Sequence, residues 1–154
     1  MLLPPDLVNI QLRGHRTGPF WRNEDVVAVH FFPQPKAMAE FPVGKILLCR
    51  EGEEWVAHRL VTHQGRKVLK GDFSNSYFWE RDAVVWGEAN GFQRGPKRVG
   101  WEGRDFFLQH LFATLSARTL RAGPVGRKIL KITMYVLSSI YFKVRAHREP
   151  PKSA

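Results

Sequence analysis

Apolar and polar residues alternate through the first half of the chain, whereas in the last third they recur at helical spacing. Val8, Ile10 and Leu12 alternate with Asn9 and Gln11, the period of a half-buried strand. Two runs rich in Val, Ile, Leu and Phe follow, residues 25–32 and 45–50, each of strand length. Glu51-Gly52-Glu53 supplies a turn, a strand returns over residues 54–62, and Gln64-Gly65-Arg66 turns the chain again into residues 67–70. That sequence of elements is a three-stranded meander. Residues 83–86 make one more strand, which Gly87 is expected to end. Short strands of this kind without a helical period predict a mainly β unit over residues 1–92, a small coiled antiparallel sheet or partly closed barrel.

The glycines and proline of residues 93–103 predict a linker or surface loop. The pattern then becomes helical. Phe107, Leu108, Leu111, Phe112 and Leu115 recur three to four residues apart, and Gly123-Pro124 ends that helix. A second helix over residues 127–148 carries Ile129, Leu130, Ile132, Tyr135, Val136, Ile140 and Phe142. Its cations gather at both ends, with Arg127, Lys128 and Lys131 before the apolar stretch and Lys143, Arg145 and Arg148 after it. Residues 104–148 thus read as a basic helical extension and 149–154 as a tail, with no internal repeat.

Composition narrows the picture. A chain of 154 residues is one ordinary domain, able to bury a core without metal or disulfides. Its 24 Lys and Arg against 14 Asp and Glu give a net charge of +10. Before Gly100 the balance is 14 to 11; from Gly100 onward it is 10 to 3, so the positive field belongs mostly to the C-terminal third. Such a field favours phosphate-rich partners and says nothing about fold. The one cysteine, Cys49, lies in an apolar strand run and reads as a buried small hydrophobe, and no Cys/His cluster has metal-ligand spacing. No metal or other cofactor is expected. The N-terminus lacks a basic region and a long apolar segment, so the cytosol is the expected compartment. The uncharged stretch 132–142 is about half of the ~20 residues a spanning helix needs.

Three segments, in order, carry candidate chemistry. They are Gly14-His15-Arg16-Thr17-Gly18-Pro19 with Glu24-Asp25-Val26-Val27; Val43-Gly44-Lys45-Ile46-Leu47 with Ala57-His58-Arg59-Leu60-Val61; and Lys70-Gly71-Asp72 with Trp86-Gly87-Glu88. Together they resemble the type I signal peptidase and LexA-type serine-protease superfamily. In that family a G-x-S-M-x-P turn precedes a Gly-Asp-hydrophobic strand. A V-G-D-hydrophobic strand, a base followed by Arg, a Gly-Asp turn and a strand ending in Gly come after it. The resemblance covers residues 8–92 and implies that fold. It also implies that His58 is the general base, in the histidine version followed by Arg, and that Asp72 of the Gly-Asp turn orients it.

The sequence departs from the pattern at the nucleophile. Aligning Gly14 and Pro19 puts Arg16 where the family has its serine and Thr17 where it has methionine. A guanidinium stays protonated and cannot attack a carbonyl. Loss of the serine costs a serine protease roughly a millionfold in turnover. Lys45 likewise replaces the acid of V-G-D, and Tyr77-Phe78 stand where histidine-type members carry further acids. The expected function is therefore a catalytically degenerate relative that binds a peptide or protein segment in extended form, by addition to a sheet edge. Arg16, Pro19 and Arg59 are its candidate binding residues, with Arg16 able to hold a C-terminal carboxylate. Two alternatives stand beside it. One is an active endopeptidase in which His58 activates Thr17 or another hydroxyl, with Ser74 and Ser76 read as solvated turn residues. The other is a basic adaptor whose second helix lies peripherally on an anionic membrane surface through Arg127, Lys128, Lys131, Lys143 and Arg145. Nucleic acid is a weaker candidate partner, because no stacking motif, helix-turn-helix or zinc finger accompanies the charge.

Overall fold

The computed structural model describes residues 7–11, 25–77, 83–101 and 105–148. Seven strands form one antiparallel sheet: β1 (Leu7–Gln11), β2 (Val26–Ala37), β3 (Ile46–Glu51), β4 (Glu54–His63), β5 (Arg66–Lys70), β6 (Val84–Arg94) and β7 (Lys97–Gly100). Two helices follow, α1 (Phe106–Arg118) and α2 (Pro124–Arg148). The mainly β architecture with two C-terminal helices is as the residue periodicity predicts. The sheet is open: its path runs β1-β2-β6-β3-β4-β5, so β1 and β5 stand at its two ends, and β7 pairs with β6.

The middle strand departs from expectation. Gly87 does not end β6; the strand runs on to Arg94 and turns back through Gly95-Pro96 into β7. The stretch read as a linker is therefore a hairpin. Gly95 takes φ +56°, and its missing Cβ permits the two-residue turn that a Gly- and Pro-rich composition disguises as a loop. At Gly87 the reason is space: a Cβ there would lie 2.6 Å from the His30 carbonyl oxygen on β2. β6 can lie this close to β2 only because that side chain is missing. β2 also continues through Pro33 and Pro35, because its pairing with β6 lapses between Phe31 and Lys36 and no ladder donor is needed there.

Each face of the sheet buries its own cluster. One gathers Val27, Val29, Ile46, Leu48, Ala57 and Phe92 beneath Phe112 of α1 and Met134 of α2. The other gathers Leu47, Cys49, Leu60, Leu69 and Val85 beneath Met38 and Phe41, which follow β2. The Lys67 ammonium donates to the carbonyls of Ala39 and Phe41 at 2.9 and 2.7 Å, tying that cover to β5. Cys49 is buried as expected, and burial pushes its thiol up to about 12. The helices form an antiparallel pair. Arg127, near the start of α2, donates to Thr119 O at the end of α1 (3.0 Å), and Arg145, near its end, meets Asp105 at the start of α1 (2.7 Å).

Gly87→Ala is expected to lower the unfolding free energy by roughly 1–3 kcal/mol through forced separation of β2 and β6. At Gly100 a Cβ meets nothing within 4 Å, so Gly100→Ala should move it by less than about 0.5 kcal/mol. Urea titration of both variants measures the difference.

Candidate functional site

The central hairpin carries the residues that the sequence singles out, and strand alternation separates them. Side chains of adjacent residues on a strand point to opposite faces. His58 shares a face with Val56 and Leu60, over the Leu47–Cys49 cluster, and pairs with Leu47 of β3. Arg59 points to the opposite face, under α1. It is 1% exposed, and its Nε and NH2 donate to the Asp72 carboxylate at 2.8, 3.0 and 2.8 Å. NH1 donates to Gly44 O at 2.9 Å and to Gln109 Oε1 of α1.

This geometry corrects two expectations. Asp72 does not orient the His58 imidazole; both its oxygens accept from Arg59, on the other face of β4. Arg59 is not available to a peptide, because its guanidinium is enclosed and committed to Asp72, Gly44 and Gln109. The cause is elementary: a buried cation must be neutralised, and the Gly71-Asp72 turn at the end of β5 brings the carboxylate to the face on which Arg59 lies. Arg16, Thr17 and Pro19 lie outside the described residues.

A second polar pair was not singled out in the sequence. Lys70, opposite Arg59 in the β4–β5 register, is fully buried. Its Nζ donates to Gly71 O (3.0 Å), Asp72 O (3.2 Å) and Ser116 Oγ of α1 (3.2 Å). Burial lowers its pKa to about 8, with Lys131 and Arg59 adding to the effect and Asp72 opposing it. An amine so lowered beside a hydroxyl is the pairing that can activate a serine. Lys70 and Ser116 are both 0% exposed, so no substrate carbonyl can enter from solvent, and the pair fastens α1 to the sheet. The sequence signal was a lysine at an inward position of a strand. Ser74 and Ser76 bond each other at 3.2 Å in the turn after Asp72, with Ser76 exposed.

Two surface features remain. Across the inner strands of the sheet, Trp55 of β4, 48% exposed, meets Phe31 of β2 and Trp86 of β6 edge-on with ring centroids 6.0 Å away. Arg50 of β3 lies 5.9 Å from the Trp55 ring, so the aromatic row spans four neighbouring strands. Between the β4–β5 turn and α1 lies a cleft of about 300 Å³ lined by His63, His110, Arg118 and Arg121 and by no carboxylate. Among the described residues no group of three or more His, Cys, Asp or Glu is placed to hold a metal ion.

The cations assigned to a membrane surface divide by helix face. Arg145 is buried against Asp105, and the Tyr141 hydroxyl, itself pushed up to about 12 by burial, raises the guanidinium pKa further. Arg145 therefore belongs to the interior, a correction that the charge count could not supply. Arg127 is half-buried on Thr119 O, and Lys131 donates to Asn75 Oδ1 at 2.8 Å. Lys128 and Lys143 face solvent. Comparison with protein-family models, curated proteins and solved structures finds no match to this chain.

Removing the carboxylate in Asp72→Ala leaves the Arg59 cation enclosed and is expected to cost about 3–5 kcal/mol in stability, read by chemical denaturation. Lys70 gives a pH signature. The unfolded amine keeps its proton up to 10.5 while the folded one releases it near 8. Folding therefore expels a proton in that window, and the stability contributed by this group rises with pH through it. The buried Cys49 thiol works in the opposite sense above pH 9, since it keeps a proton that the unfolded thiol loses. The stability of wild type minus that of Lys70→Met isolates the lysine and should increase from about pH 8 to 10.5; a flat difference would contradict it.

Proposed function

We propose that the chain is a signal-peptidase-like binding module that holds an extended protein segment without cutting it. The observation that carries this reading is the commitment of Asp72 to Arg59. The carboxylate that hydrolysis would require beside the imidazole serves the other face of the strand, while Arg16 stands in sequence where a nucleophilic serine would be. With Asp72 committed to Arg59 and a guanidinium at the nucleophile's place in the motif, the retained motifs do little for acyl transfer.

Binding is supported by two features. The sheet is open, so a peptide can add as a strand and gain main-chain hydrogen bonds. The Phe31–Trp55–Trp86 row offers half-exposed aromatic area, which holds apolar side chains at low entropic cost. The segment favoured by this surface is extended and carries an apolar side chain, with an acidic residue placed to meet Arg50.

Exposure to a fluorophosphonate probe is expected to leave the protein unlabelled. An array of extended peptides should bind it, with Trp55→Ala weakening the bound set by about tenfold or more. Covalent labelling that vanishes in His58→Ala would establish the endopeptidase instead. Peptide binding unchanged in Trp55→Ala would remove the aromatic row from the site.

A further inference from the structure

The second helix carries two apolar faces, and among the described residues only one is covered. Met134, Leu137 and Tyr141 turn inward onto the sheet and α1. On the opposite side Val125, Ile129, Ile132, Val136, Ile140 and Val144 follow one another three or four residues apart and are exposed, Val125 at 74% and Ile132 at 54%. At about 1.5 Å per residue the row is roughly 28 Å long. Isolated exposed apolar residues are ordinary; a continuous row along one helix face is a contact surface.

Charge identifies what covers it. From Phe106 to Arg148 there are eight Lys and Arg and no Asp or Glu. Lys143 stands within the row, and Lys128 beside its first turns, both in solvent. An antiparallel copy of α2 centred on Val136 would set Lys143 of each helix near Lys128 of the other, a like-charge juxtaposition that opposes self-association. An anionic lipid surface meets both features, because the apolar row enters the acyl boundary while the lysines extend their stems along it to the headgroups. Among the described residues no helix is long and apolar enough to cross a membrane, so α2 would lie in the interface plane.

We infer that α2 docks on anionic membranes through the Val125–Val144 row, with Lys128 and Lys143 holding the headgroups. The inference is independent of peptide binding by the β domain. The test is flotation of the full chain with vesicles of phosphatidylcholine containing phosphatidylglycerol, against phosphatidylcholine alone. Wild type is expected to float with the anionic vesicles only, and less so at high salt. The doubly substituted Ile132→Gln/Val136→Gln chain should lose at least roughly tenfold in partitioning per side chain. Lys128→Gln/Lys143→Gln should lose roughly fivefold per charge. These side chains are exposed, so thermal melting should match wild type in both variants. Failure of wild type to float with anionic vesicles would overturn the inference, as would flotation of the glutamine-row variant at the wild-type level. A dimer that Ile132→Gln dissolves, without vesicle binding, would assign the row to a second copy instead.

Discussion

A guanidinium enclosed between a sheet and a helix must be neutralised where it stands, and the arrangement around Arg59 follows from that requirement. Asp72 accepts two of its donor groups, Gly44 O and the Gln109 carbonyl the third. Four chain segments meet there: the turn before β3, strand β4, the turn after β5, and α1. Lys70 adds a second buried cationic group beside the same carboxylate, held by two backbone carbonyls and Ser116. Two cations against one anion leave the interior short of negative charge. The lowered pKa of Lys70 is the consequence, since burial disfavours the protonated amine more than Asp72 favours it.

The same principle recurs at the other joints. Arg94 at the end of β6 is bidentate on Asp25, just before β2, at 2.9 and 2.6 Å, with its guanidinium 4.7 Å from the Phe142 ring. Arg145 reaches back from the end of α2 to Asp105. Three arginine–aspartate pairs thus draw together distant parts of the chain: β4 to the turn after β5, the start of β2 to the end of β6, and α1 to α2. A strongly basic chain commits several of its scarce carboxylates to buried and partly buried arginines, and most of the surplus positive charge remains outside. Function reads from that exterior: an aromatic row on the sheet, a carboxylate-free cleft under α1, and an apolar row on α2.

The strands were legible because alternation and turn residues are local. β3, β4, β5 and both helices lie close to where their periodicity puts them. Gly87 misleads because a glycine that permits close approach of two strands looks the same in sequence as one that stops a strand. Gly95-Pro96 misleads in a related way, since a tight turn and a loose linker share their composition. Of the candidate site, the burial of Cys49 was readable from its apolar neighbours. The partner of Asp72 was not, because a Gly-Asp turn specifies a carboxylate but not the face to which it is turned.

By itself the sequence determined the element types, the net charge with its concentration near the C-terminus, and the order of motifs that resembles a peptidase family. Those properties depend on residues near one another along the chain. Tertiary structure decided which charges are spent inside: Asp72 on Arg59, Arg145 on Asp105, Lys70 beneath Ser116. It also decided which apolar face of α2 is left in water. Pairing and burial depend on distances between segments far apart in sequence, and those distances exist only once sheet and helices have closed around the buried guanidinium.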